Sequence, residues 1–136
     1  MSPQHMRVAL GIGCDRGTPA TTLARAVLEA LHACGTHLSR VAAVASIDLK
    51  ADEPGLRELA RELGWQIHFY PAAALAVVPV PNPSETVRRY TGTPSVSEAA
   101  ALLAAGTGIH DLLIEKHKKR GPDGRSATVS IARIPQ

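Results

Sequence analysis

The sequence predicts an α/β protein: a three-layer α/β/α sandwich with a largely parallel sheet and an antiparallel C-terminal hairpin. Three observations carry that expectation. Short apolar runs alternate with stretches of helical period, glycines and prolines punctuate the junctions, and two strand-like runs close the chain around RGPDGR with no helix between them. Length and composition agree, since 136 residues without a linker suit a single domain spanning residues 1–136. Hydrophobic residues make up 45% and aromatics only 3%, so the core must be built from Ala, Val, Leu and Ile.

The first strand is read from MRVALGI, residues 6–12, whose nearly continuous apolar character suits burial on both faces. GIGCDRG, residues 11–17, then reads as a glycine-rich turn from strand to helix. Thr18 is placed to cap a helix whose first position is Pro19; Leu23, Ala26, Val27, Ala30 and Leu31 recur at helical spacing, and Gly35 ends it. VAAVAS, residues 41–46, is the second strand. A second helix starts near Glu53 with Pro54 in its first turn and stops at Gly64.

WQIHFY, residues 65–70, gives a third strand, followed by PAAALA and by VVPVPNP, whose three prolines exclude a central strand. SETVRRYTG reads as a short helix or turn. Ser95 and Glu98 supply the S-x-x-E capping box of a further helix that ends at Gly106. DLLIEKHKK and SATVSIARI then pair as the closing hairpin.

A strand, a glycine turn and a helix start invite a nucleotide reading of GIGCDRG. A dinucleotide fingerprint requires G-x-G-x-x-G, yet Arg16 holds the third glycine's place and Gly17 comes one residue late. No GK[ST] follows, so the phosphate loop fails as well, and only Asp48, just after the second strand, favours a ribose contact. Two readings remain beside it. The glycines serve the turn alone, or backbone N–H groups at the helix start, helped by Arg16, hold a ligand carboxylate.

Other classes are excluded more simply. Cys14 and Cys34 form neither a disulfide framework nor a CxxC pair, and read as small buried hydrophobes in a reducing compartment. The six histidines, at 5, 32, 37, 68, 110 and 117, show no ligand spacing, so no metal or other cofactor is expected. GxSxG is absent. With no apolar run of about 18 residues and no secretory leader pattern, a cytoplasmic protein without a membrane partner is expected. Fifteen Lys and Arg against twelve Asp and Glu give +3, which suits an anionic ligand, while the few aromatics argue against nucleic acid.

Five blocks in order, GIGCDRGT, ASIDLKADEPGL, VPNPSETV, GTPSVSEAAALLAAG and ATVSIAR, resemble the CobE/CbiG C-terminal domain family of cobalamin biosynthesis. The match runs from about residue 6 to 134, and with only five residues ahead of it the chain is expected to resemble the family's stand-alone members rather than the longer CbiG type. The resemblance implies a corrinoid or precorrin intermediate as ligand and other enzymes of that pathway as partners. CbiG-type proteins open the lactone ring of a cobalt-precorrin and release its two-carbon fragment as acetaldehyde.

Corrin precursors carry many carboxylates around an apolar ring, so cationic donors beside an apolar floor are expected. Matched blocks place Gly11, Gly13, Cys14, Arg16, Gly17, Asp48, Asn82, Ser84, Ser95, Glu98 and Lys116 as ligand-binding candidates, with Lys118 a further cation. Lys50 and Glu53 are the catalytic candidates: the ammonium would bind a carboxylate or polarise a lactone carbonyl, and the carboxylate would position it or activate water. Each has a plainer reading. Lys50 and Glu53 can be a solvated ion pair, Asn82 and Ser84 turn chemistry, Ser95 and Glu98 caps, KHKKR a charged strand edge, and His68 a partly buried strand residue rather than a lone imidazole near the crevice. Two functions therefore stand: a protein that binds a corrinoid intermediate and assists its processing or transfer, or a lactone-opening hydrolase of the cobalt-precorrin-5A type. A nucleotide-binding module is the third.

Overall fold

Alternating strands and helices assemble, in the computed structural model, into a five-stranded sheet with helices on both faces; the structure describes residues 6–81 and 95–136. Strands β1 (Val8–Cys14), β2 (Val41–Ile47), β3 (Ile67–Tyr70), β4 (Leu112–Arg120) and β5 (Ser126–Arg133) lie in the order β3-β2-β1-β5-β4. The pairs β1–β2 and β2–β3 are parallel, whereas β5 is antiparallel to both of its neighbours, β1 and β4. It follows that β1, β2, β3 and β4 all run one way and β5 alone opposes them. The expected α/β/α sandwich with a largely parallel sheet and a C-terminal hairpin is what the chain forms.

Helices α1 (Ala20–Ala33) and α2 (Pro54–Leu63) cover one face; α3 (Ala72–Ala76) and α4 (Val96–Ala105) cover the other. Side chains of β1 show why. Val8, Leu10 and Ile12 point toward α1 and α2 and pack with Leu23, Val27, Leu56 and Leu59, while Ala9 meets Ala101, Leu102 and Ala105 of α4. Large residues thus fill one layer, and small ones let α4 approach the other closely. Each fully buried Leu in the first layer contributes about 2 kcal/mol of transfer free energy.

Gly11 sits in the small-residue layer, and a Cβ there would collide with the backbone carbonyl of Ser97 in α4. This corrects the reading of GIGCDRG as a glycine turn. β1 continues through Cys14 because β5 pairs with it residue for residue, Gly11 with Ser130, Gly13 with Thr128 and Cys14 with Ala127. The turn proper is only Asp15 to Thr18.

Two caps also differ from expectation. Pro19 occupies the N-cap of α1, and the Thr18 hydroxyl instead donates to the Asp15 carbonyl at 2.7 Å and lies 3.3 Å from the Ser126 carbonyl. Ser95 does occupy the N-cap of α4, but its hydroxyl makes no capping hydrogen bond and Glu98 is fully buried, so the capping box does not form. Helix ends were read correctly: Gly64 and Gly106 close α2 and α4 in the left-handed region at φ 69° and 70°. SETVRRYTG lies outside the described residues.

Candidate functional site

The carboxyl ends of β1, β2 and β3 bring together the β1–α1 loop and the β2–α2 loop, where ligands gather in open parallel sheets. One carboxylate joins the two loops. Glu53, only 2% exposed at the N-cap of α2, accepts a hydrogen bond from the Gly17 backbone N–H at 3.0 Å through Oε1. Its Oε2 lies 3.5 Å from the Lys50 ammonium and takes no hydrogen bond. Gly17 has φ 81°, a conformation that costs other residues about 1–2 kcal/mol, so a glycine is needed where that N–H turns toward Glu53.

Packing reinforces this junction. A Cβ on Gly55, two residues past Glu53, would collide with the Thr18 carbonyl, so the start of α2 rests directly on the β1–α1 loop. The predicted Lys50–Glu53 pair exists, three residues apart, with Glu53 buried and Lys50 half-buried rather than both solvated. Cys14 belongs to the same cluster. Burial pushes its thiol up to about 11; Lys50 works against that shift and Glu53 and Asp15 add to it. Such a thiol is a poor nucleophile at neutral pH.

On the outer side of the loop, Arg16 is exposed, and among the described residues nothing pairs with its guanidinium. Its carbonyl accepts from Arg125 Nε at 3.1 Å, so two arginines stand on one rim. The hairpin tip is tied to the loop a second time, because the Asp15 carboxylate accepts the Ser126 N–H at 2.8 Å. Arg125 also pairs with Asp123 at 3.1 Å. Hydrogen bonds from Arg125, first from its backbone N–H, hold the Asp123 carboxyl below its usual range.

Across the hairpin, β4 divides its cations between the two faces. His117 and Lys119 turn toward α1 and meet Glu29 at 2.8 and 3.1 Å. Lys118 pairs with Thr128, which pairs with Gly13, so these three share the α4 face in one row across the sheet. Lys116 is exposed nearer the middle of β4, in the irregular stretch between Ile114 and His117.

The other predicted residues are distributed as follows. Asp48 is exposed in a short turn after β2, and His68 is exposed on β3 with its ring 4.2 Å from that of Tyr70. Ser95 and Glu98 are buried at the start of α4, where the intervening Val96 faces Gly13. Asn82 and Ser84 lie outside the described residues. Among the described residues no group of three or more His, Cys, Asp and Glu can hold a metal, and no helix is long and apolar enough to cross a membrane. Two hollows lined by Met6, Arg7 and Arg133 and by Leu28, His32 and Thr36 lie toward the opposite end of the strands. Sequence reasoning missed Asp15, Gly55, Ser126 and Arg125. DEPG signalled the first turn of a helix, but only the fold shows that its glycine is a contact point.

Residues 8–132 match the family model described as Cobalamin synthesis G C-terminus. This chain belongs to that CbiG C-terminal family. Among curated members, a cobalt-precorrin-5A hydrolase of Priestia megaterium is 37% identical over 94% of this chain and 32% of its own length. Protein CobE of a Sinorhizobium species is 39% identical over 73% of this chain and 66% of its own. The chain thus spans about a third of the hydrolase and about two thirds of that CobE.

A crystal structure of CobE, a protein from the cobalamin biosynthetic pathway, superposes with a TM-score of 0.77 at 37% identity, covering 99% of this chain and 95% of that one. Cobalamin biosynthesis protein chiG from Agrobacterium tumefaciens gives a TM-score of 0.66 at 33% identity, covering 95% of this chain and 99% of that one. As a member of the CbiG C-terminal family, this is a cobalamin-biosynthesis protein of the CobE/CbiG kind.

Proposed function

We propose that this CbiG C-terminal domain binds a carboxylate-rich corrinoid or precorrin intermediate beyond the carboxyl ends of its sheet. It then assists the intermediate's processing or its transfer to other enzymes of the pathway. The observation that carries this reading is the rim where Arg16, unpaired among the described residues, stands beside Arg125 on a loop anchored by the buried Glu53. An open guanidinium held on a fixed loop suits a carboxylate, because little ordering remains to be done when the ligand arrives.

The hydrolase reading has its own support. Glu53 Oε2 is buried and free of hydrogen bonds 3.5 Å from Lys50, which leaves it able to accept a proton. Titrating the purified protein with cobalt-precorrin-5A lactone and with the corrin polycarboxylate cobyrinic acid separates the two. Spectral shifts that saturate without acetaldehyde support binding. Acetaldehyde release abolished by Lys50→Ala or Glu53→Gln establishes the hydrolase, and no spectral change with either ligand overturns both.

A further inference from the structure

Gly13 is the residue of β1 that the described residues leave unexplained. Gly11 is required because a Cβ would strike the Ser97 carbonyl, and Gly17 because its φ is 81°. Gly13 has neither reason: its backbone is not in the positive-φ region, and a Cβ on it would meet only Val96 Cγ1 at 4.0 Å among the described residues. A glycine in a strand costs stability through chain entropy and lost packing. Where neither backbone conformation nor packing demands one, close approach by a ligand is a physical reason for it.

The two faces of the sheet differ at this end. Toward α1 and α2 the space is filled: Glu53 is buried, Cys14 packs half-buried against the core, and Gly55 abuts the Thr18 carbonyl. Toward α4, Gly13 and its neighbour Thr128 are half-buried and Lys118 is exposed. With strands about 4.8 Å apart, Lys118 lies about 10 Å from Gly13 across the row. That distance places an ammonium and a hydroxyl beside a surface that lacks a side chain at its centre.

We infer that the ligand seats on the α4 face of the sheet, its apolar ring over Gly13, with Thr128 and Lys118 taking peripheral polar groups. This rests on the corrinoid-binding reading and adds the face and the residues that set specificity. Lys50 and Glu53 then lie behind the ligand, across the sheet, and shape the Arg16 rim without touching the ring.

The test compares binding of cobyrinic acid and cobalt-precorrin-5A lactone, by visible absorbance, to the wild-type chain and to Gly13→Val, Gly13→Ala, Lys118→Glu and Lys119→Gln, with Tm measured for each. Gly13→Val is expected to weaken binding at least about tenfold while Tm holds or rises, since strand propensity favours valine. Lys118→Glu should weaken it several-fold, and Lys119→Gln, on the opposite face, should leave it within about twofold. If Gly13→Val lowers Tm, Gly13→Ala and Lys118→Glu decide the matter. Wild-type binding that all the Gly13 and Lys118 variants retain overturns the seat while sparing the binding reading. Failure of both ligands to bind the wild-type chain overturns the binding reading and the seat with it.

Discussion

Cys14 and Glu53 show what single side chains do at the crevice. Burial, first of all, keeps the Cys14 thiol protonated up to about pH 11. Alkylation of Cys14 by iodoacetamide, followed in a native Cys34→Ser variant, should therefore be slow at pH 8 and accelerate only toward pH 11, whereas the unfolded chain reacts near the ordinary thiol value of about 8.5. The sign of the stability effect follows: because the folded value is raised, the contribution is complete below the ordinary value and is lost as pH rises toward 11. A flat alkylation rate between pH 8 and 11 refutes this. Glu53→Ala removes the acceptor of the Gly17 N–H and strands Lys50, a loss of about 3 kcal/mol by chemical denaturation. Glu53→Gln, which keeps an acceptor for that N–H, should cost less than half as much. The sequence placed Lys50 and Glu53 three residues apart and so made their pairing legible. It could not show burial, which arises only when Gly55 brings α2 onto the β1–α1 loop.

At the scale of elements, helix ends were legible because glycine in the left-handed region is a local requirement, met at Gly35, Gly64 and Gly106 without help from distant residues. The end of β1 was not. Local sequence carries the strand only to Ile12 within a glycine-rich turn, and pairing with β5, more than a hundred residues away, extends it to Cys14. The same lesson applies to β4, where KHKKR reads as one charged edge until the register divides it between two faces. Hydrogen bonds from His117, then Lys119, hold the Glu29 carboxyl below its ordinary value of 4.5. A depressed carboxylate stabilises above that value, and the contribution disappears as pH falls through the lowered one. Glu29 is 42% exposed, so solvent screens the cluster and the effect on global stability is small. Glu29→Gln should speed hydrogen exchange of β4 amides at pH 7, and its difference from the wild type should shrink as pH falls through the lowered carboxyl value; equal exchange at pH 7 would remove any role for the cluster in holding this edge strand.

For the whole molecule, the modest net charge of +3 conceals an uneven arrangement. At the carboxyl end of the sheet stand Arg16, Arg125 and Lys118, while Asp123 neutralises part of Arg125, Asp48 and Asp52 are exposed on the β2–α2 loop, Asp15 is tied to Ser126 and Glu53 faces inward to Gly17 and Lys50. Composition suggested an anionic ligand, but only the hairpin tip, tied to the β1–α1 loop through Asp15 and Ser126, sets Arg125 beside Arg16. A carboxylate approaching Arg16, whose guanidinium is unpaired among the described residues, feels an attraction that reaches about 10 Å at 0.1 M salt and about 3 Å at 1 M. The affinity for cobyrinic acid should accordingly fall at least about tenfold between 0.05 and 0.5 M NaCl. Arg16→Ala, which removes one exposed cation and leaves the Gly17–Glu53 hydrogen bond in place, should flatten that dependence as well as weaken binding. An affinity unchanged by salt would mean that the apolar ring alone supplies the binding free energy, and that the arginine rim serves only to join the hairpin to the loop.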